Sequence, residues 1–317
     1  VPPPRDAGGT ATFENLPLSD SPLVLCARAV VEPLVVAGQR QLLRHGWQMQ
    51  SSVLVPEDGS QISTASYTPR QWHNTSAPST VLSVLVKNGI YPDPRTGLNS
   101  CQIPDSSDEF NGAHDLARFT HLPDGRNPWR DPYWFRKEFT LPRLPADRRI
   151  WLHLDCINYR AEAWLNGNRV ADGDTMVGCF ERFVFDVTTY AGEGANVLAV
   201  KILPVDHPGT PEAQLEPFGP CRNYQKEIMQ DATVVMSIGY DCMPTVPDRN
   251  MGILQDVWVD WTGPVSICHP FVVTELPLPE TSRATLRVST ELVNATDTPV
   301  QGVLRGLDRE DARDAYA

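Results

Sequence analysis

The chain has 317 residues, 41% hydrophobic and 21% charged, and its 39 acidic against 27 basic side chains give a formal charge of −12. This is the balance of a globular chain, and its negative sign repels a phosphate backbone, which sets aside nucleic acid as a main partner. The 29 prolines and 21 glycines favour many short strands joined by turns over long helices.

Residues 1–38 are rich in proline and hold no steady period, so they read as a leader or tail of unsettled order. The apolar stretch 23–36 is broken by Arg28 and Glu32, which makes it too short and too charged to span a membrane. No basic segment precedes it, so it is a poor signal peptide. Residues 39–265 carry the strand signals and are expected to form one domain. At 80–88, Val81, Leu82, Leu85 and Val86 share a helical face, with Ser79 or Thr80 as N-cap and Gly89 where a C-cap belongs. This is the one helix expected.

Period-two runs follow at 133–139, 149–154, 161–165, 182–187, 196–202 and 255–261. Asn166-Gly167 tolerates the positive φ of a tight hairpin turn, so 161–165 should fold back on a strand starting at Arg169. Trp134, Trp151 and Trp164 lie in these runs and read as core, not as sugar-stacking rings. Residues 266–317 begin a second pattern, with strands at 271–274, 284–293 and 300–304. That is too little for the seven strands of an immunoglobulin-like sandwich.

The remaining polar groups point to no chemistry of their own. The run Asp105-Ser106-Ser107-Asp108-Glu109 lacks the glycine and glutamate spacing of a calcium loop and is expected to be a solvated acidic loop. His114, His121 and His153 have no partner at metal-like spacing. The seven cysteines include no CxxC pair and read as free apolar thiols. Asn74-Thr75-Ser76 and Asn294-Ala295-Thr296 are formal glycosylation sequons. There is no GxSxG elbow, P-loop or GxGxxG. No metal or cofactor is expected.

Four segments in order carry a resemblance. They are 78–82 with Gly89-Ile90-Tyr91-Pro92-Asp93-Pro94; Pro132-Tyr133-Trp134-Phe135; 154–167 with Val177-Gly178-Cys179-Phe180 and Phe185-Asp186-Val187-Thr188; and Gly239-Tyr240-Asp241-Cys242-Met243-Pro244 with Asp248-Arg249-Asn250-Met251-Gly252-Ile253. Together the chain resembles the N-terminal, non-catalytic part of a family 2 glycoside hydrolase, in the exo-β-glucosaminidase and β-mannosidase-like branch. The resemblance implies an all-β fold: a jelly-roll, galactose-binding-like sandwich followed by a partial immunoglobulin-like sandwich. It implies carbohydrate as partner, and a catalytic barrel of the same protein as the other. In this family two glutamates on the barrel perform a retaining hydrolysis, and the acid/base follows an asparagine. No Asn-Glu step occurs here, and no alternating strand–helix pattern of about 250 residues is present. The chain alone is therefore expected to have no catalytic residue and no hydrolytic activity.

By the same resemblance, Asp241 accepts hydrogen bonds from hydroxyls of the terminal sugar, Tyr240 sits beside it, and Arg249 and Asn250 shape the same pocket. Cys156 stands where the family has glycine, and Cys242 and Leu254 stand where it has tryptophan. The resemblance favours a secreted or periplasmic protein; the residues themselves name no compartment. The other readings are a stand-alone lectin-like sandwich and a truncated product.

Overall fold

The computed structural model describes residues 11–12, 23–25, 40–213, 222–231, 233–234, 244–279 and 282–304. The chain divides into two compact units, 40–146 with 150–260, and the remainder. Two short strands, β1 (Ala11–Thr12) and β2 (Leu23–Leu25), belong to the second of these.

The larger unit opens with β3 (Arg40–Leu42), β4 (His45–Ser51), the short helix α1 (Gly59–Ile62), β5 (His73–Ser76), β6 (Ser79–Thr80) and α2 (Val81–Lys87). α2 is the helix that its apolar spacing predicts. The Thr80 hydroxyl accepts from Ser83 N–H, the Ser83 hydroxyl accepts from Thr80 N–H, and Gly89 ends the turn at φ 74°. α1 and α3 (Asp108–Ala113) were not anticipated, because at four and six residues they are too short to show a helical period.

The strands β7 (Tyr133–Leu141), β8 (Arg149–Asp155), β9 (Ile157–Asn158), β10 (Arg160–Leu165), β11 (Asn168–Val177), β12 (Arg182–Asp186) and β13 (Gly194–Leu203) follow. Next come β14 (Thr210–Ala213), β15 (Arg222–Glu227), β16 (Gly252–Ile253) and β17 (Val257–Thr262). The two largest sheets have the orders β11-β10-β13-β7-β4-β5 and β12-β8-β17-β3, and β16 lies between β6 and β9 in a smaller one. The hairpin at Asn166-Gly167 forms as its chemistry requires, with φ of 50° and 84°, and Leu165 pairs with Asn168.

β13 is buried along nearly its whole length rather than on alternate residues. Its sheet is covered on its outer face as well. Val55, Ile62, Trp72, Trp134 and Ala199 form a cluster there, with Tyr67 and Trp164 packed against it. Gly59 lies so close to the Trp164 ring that a Cβ would fall 2.1 Å from it, so no larger residue fits. Arg136, on this covered face, is buried and donates Nε to Ile62 O at 2.9 Å and Nη2 to Thr64 O at 3.1 Å. It thereby satisfies carbonyls left open where α1 ends. Trp134 and Trp151 are buried.

In the smaller unit, β18 (Val265–Glu275) and β19 (Thr285–Asn294) form a long antiparallel pair, with β1 on the far edge of β19. β20 (Val300–Gly302) pairs with β2. Asn294, the acceptor of one sequon, is buried and donates Nδ2 to Thr298 O at 2.7 Å, so it serves a turn. The fold is all-β.

Candidate functional site

Tyr240 and Asp241 lie outside the described residues, but the chain on both sides of them is described, and both sides meet one side chain. Asn158 in β9 is fully buried. Its Nδ2 donates to Arg249 O at 2.7 Å and to Asn250 O at 3.0 Å, and its Oδ1 accepts from the Thr233 hydroxyl. One amide therefore joins Thr233 to Arg249 and Asn250, and it uses both its donor hydrogens and its acceptor to do so.

The turn at 247–250 is shaped by backbone conformation. Arg249 and Asn250 both have positive φ, 52° and 56°, and Asp248 caps the turn by accepting Asn250 N–H at 3.0 Å. The other Asp248 oxygen accepts Leu82 N–H at 2.9 Å, which ties the turn to α2. Removal from water pushes the buried Asp248 carboxyl up to about 6. Gly252 then threads between β6 and β9, pairing with Thr80 and Asn158. A Cβ on Gly252 would stand 2.4 Å from Ser79 O.

Behind this turn lies a buried ion cluster. The Asp105 carboxylate accepts Arg249 Nη2 at 2.8 Å, Arg249 Nη1 at 3.0 Å and Arg222 Nε at 2.7 Å, and also the N–H of Ser107 at 2.8 Å. All three charged side chains are buried. Burying a charge costs far more than one interaction returns unless it is paired and hydrogen-bonded. Here the excess positive charge is spread over carbonyls. Arg249 donates Nε to Pro208 O at 2.8 Å and Nη1 to Val246 O at 2.7 Å; Arg222 donates to Ser100 O at 2.7 Å and to Ile103 O. Burial draws the Arg222 guanidinium below its usual range, and the neighbouring Asp105 opposes that shift. The Asn111 side chain holds the Asp105 main chain at both N–H and C=O, each at 2.7 Å.

The acidic run was expected to be a solvated loop, and this is corrected here. Asp105, Ser106 and Ser107 are buried, and Ser107 is the N-cap of α3; Asp108 and Glu109 stand at the exposed first turn. A polar groove of ≈ 250 Å³ runs beside the cluster, lined by Ser107, Asp108, Arg130, Thr210 and Glu227 among others.

Arg249 and Asn250 thus lie together at a turn held by Asn158 and Asp248, whereas Tyr240 and Asp241 lie outside the described residues. The Arg249 guanidinium faces protein acceptors on every side and acts from behind the surface. Sequence reasoning passed over Asn158, Asp105 and Arg222. Asn158 sits inside one of the four resembling segments, which was the available signal. Asp105 lies 117 positions from Arg222 and 144 from Arg249, and no local pattern marks such pairs.

Cys156 has φ 57°, a conformation that glycine adopts without strain. His121 is wedged between Tyr91 OH at 3.0 Å from Nδ1 and Tyr133 OH at 3.3 Å from Nε2, and burial lowers its imidazole to about 4. The buried His153 meets the Asp260 carboxylate at 3.0 Å and stacks on Trp258. Among the described residues no group of three or more His, Cys, Asp or Glu is placed to hold a metal, and no helix is long and apolar enough to cross a membrane.

Comparison with known proteins places this geometry. Residues 121–255 match the glycosyl hydrolase 2 galactose-binding domain-like family. An exo-β-D-glucosaminidase of Streptomyces avermitilis is 28% identical over 262 residues, covering 82% of this chain and 24% of that protein. A mannosylglycoprotein endo-β-mannosidase of Lilium longiflorum is 32% identical over 259 residues, covering 80% of this chain and 24% of that protein. Among solved structures, Amycolatopsis orientalis exo-chitosanase CsxA superposes with a TM-score of 0.58 at 25% identity, over 82% of this chain and 25% of the other. The chain spans about a quarter of the length of these relatives. The chain belongs to the family 2 glycoside hydrolases, whose galactose-binding-like domain it carries.

Proposed function

We propose that the chain walls the sugar pocket of a retaining glycosidase acting on non-reducing-end β-linked sugars of the glucosamine or mannose type, with hydrolysis performed by a barrel outside this chain. The observation that carries this reading is the Asn158 clamp. It binds Thr233, which precedes Tyr240 and Asp241 in the chain, and Arg249 and Asn250, which follow them, within a chain similar over four-fifths of its length to proteins described as exo-β-D-glucosaminidases. In this reading Asp241 accepts hydrogen bonds from sugar hydroxyls, because a carboxylate makes stronger bonds to them than a neutral acceptor does. Tyr240 flanks it. Arg249 and Asn250 set the backbone of the pocket wall.

The test supplies the missing part in trans. The chain is mixed with a barrel-bearing fragment of an exo-β-glucosaminidase from which the matching quarter has been removed. Aryl β-glucosaminide hydrolysis is expected from the mixture and from neither part alone, and Asp241→Asn in the chain should abolish it. Hydrolysis by the purified chain alone, or full activity with Asp241→Asn, refutes the proposal.

A further inference from the structure

We propose that the cavity beside Lys137 is a binding site for an organic monocarboxylate, with the Lys137 ammonium as its counter-charge. None of its residues belongs to the stretch holding Tyr240 and Asp241, so this inference and the reading above stand or fall separately.

The cavity lies in the larger unit and has a volume of ≈ 600 Å³, within the range of small-molecule pockets, about 300–1,000 Å³. It opens where the chain crosses from β3 to β4, against the end of β7. Gln41, Leu42, Arg44, His45, Lys137 and Phe139 line it, among others.

The first observation is the row in which the lysine stands. Tyr133, Phe135, Phe139 and Leu141 share one face of β7 and are buried, and Lys137 is the charged residue in their row. Directly opposite it stand Trp47 on β4 and Leu198 on β13, both fully buried. Residues facing each other across antiparallel strands share a side of the sheet, so the half-buried lysine belongs to the apolar face. The second observation is its charge. Gly46 has φ 73°, and a Cβ there would stand 3.2 Å from Lys137 Nζ, so the ammonium lies against the start of β4, next to His45. Among the described residues it makes no hydrogen bond or ion pair, and neither do the side chains of Gln41 and His45. The other charges at the rim are already paired. Glu138 meets Arg136 Nη1 at 2.6 Å, and Arg44 Nε meets Asp256 at 3.0 Å. Burial draws the Lys137 ammonium below its usual range, and Glu138 opposes that shift.

The third is chemistry. A cation drawn out of water needs an acceptor that carries charge. One unpaired positive charge suits a monoanion better than a dianion. Gln41 and His45 offer further hydrogen bonds, and Leu42 and Phe139 offer an apolar wall to an organic body. For packing alone, methionine would fill the row as well as lysine does.

The experiment is calorimetric titration of the chain at low ionic strength with sodium D-glucuronate and with sodium hexanoate. Methyl β-D-glucoside serves as the neutral probe, and sodium sulfate as the dianion. At least one acid should bind and the glucoside should not; which acid binds tells whether the body is hydroxylated or apolar. Lys137→Met should weaken binding roughly 10- to 100-fold, the range for a hydrogen bond to a charged group, while its urea midpoint stays level or rises. His45→Ala, at an exposed position, should weaken binding roughly 2- to 10-fold; it reads the site even if Lys137→Met does not fold, and in that case unchanged affinity in His45→Ala overturns the proposal. Failure of both acids to bind the unsubstituted chain, equal affinity in Lys137→Met, or tighter binding of sulfate than of either acid also overturns it.

Discussion

Substituting Asp105 by asparagine tests whether the buried cluster holds the pocket wall together. The carboxylate accepts three N–H bonds from Arg222 and Arg249 and one from Ser107. Asparagine keeps the volume but replaces one acceptor oxygen with an amide that points hydrogens at a guanidinium. Two buried cations then face each other with no counter-charge, and removing one member of a buried ionic group costs about 3–5 kcal/mol. For a unit of this size that corresponds to a fall in Tm of roughly 6–20 °C. The proper control is Glu109→Gln. Its pair with Lys226 is just as short, at 2.6 Å, but both side chains are about 60% exposed, so water screens it and its loss should leave the midpoint nearly unchanged. Urea denaturation followed by tryptophan fluorescence reads both variants, because Trp47, Trp129 and Trp134 are buried in this unit. An Asp105→Asn midpoint no lower than that of Glu109→Gln would refute the claim that the cluster is a structural anchor.

Two buried groups should oppose each other below neutral pH. Asp248 is raised from 3.8 to about 6; its contribution is fully present below pH 4 and about 3 kcal/mol is lost as pH rises to 6. His121 is lowered from 6.5 to about 4; its contribution is present above pH 6.5 and about 3 kcal/mol is lost as pH falls to 4. The unsubstituted chain should therefore vary little in stability across this window. His121→Gln should become more stable on acidification and Asp248→Asn less stable, as read by urea unfolding at several pH values; equal slopes in both variants would contradict the assignment. Asn158→Ala removes the partner of two carbonyls and of the part-buried Thr233 hydroxyl and should cost roughly 1–3 kcal/mol, read as a lower urea midpoint. Gly252→Ala forces a methyl group to within 2.4 Å of Ser79 O and should destabilise the chain by more than about 2 kcal/mol, measurable as a shifted unfolding midpoint.

The amino-acid sequence by itself determined the all-β class, the Asn166-Gly167 hairpin, the α2 helix with its caps and the longer strands β7, β8, β10, β11, β12, β13, β17, β18 and β19, because those depend on periodicities and turn preferences within a dozen residues. It also carried the family, since the four motifs are local strings. Tertiary structure alone decided which polar residues matter. Asp105 looks like part of a solvated acidic run until Arg222 and Arg249 arrive from over a hundred positions away, and burial turns a surface charge into an anchor. Arg136 lies in a period-two run that does not say what covers it; the chain at Ile62 and Thr64 does, and its carbonyls claim the guanidinium. Asn158 occupies a two-residue strand with no pattern of its own; only the fold brings Thr233, Arg249 and Asn250 within reach of its amide. Strand formation depends on neighbours in the chain, whereas desolvation and hydrogen-bond pairing depend on neighbours in space.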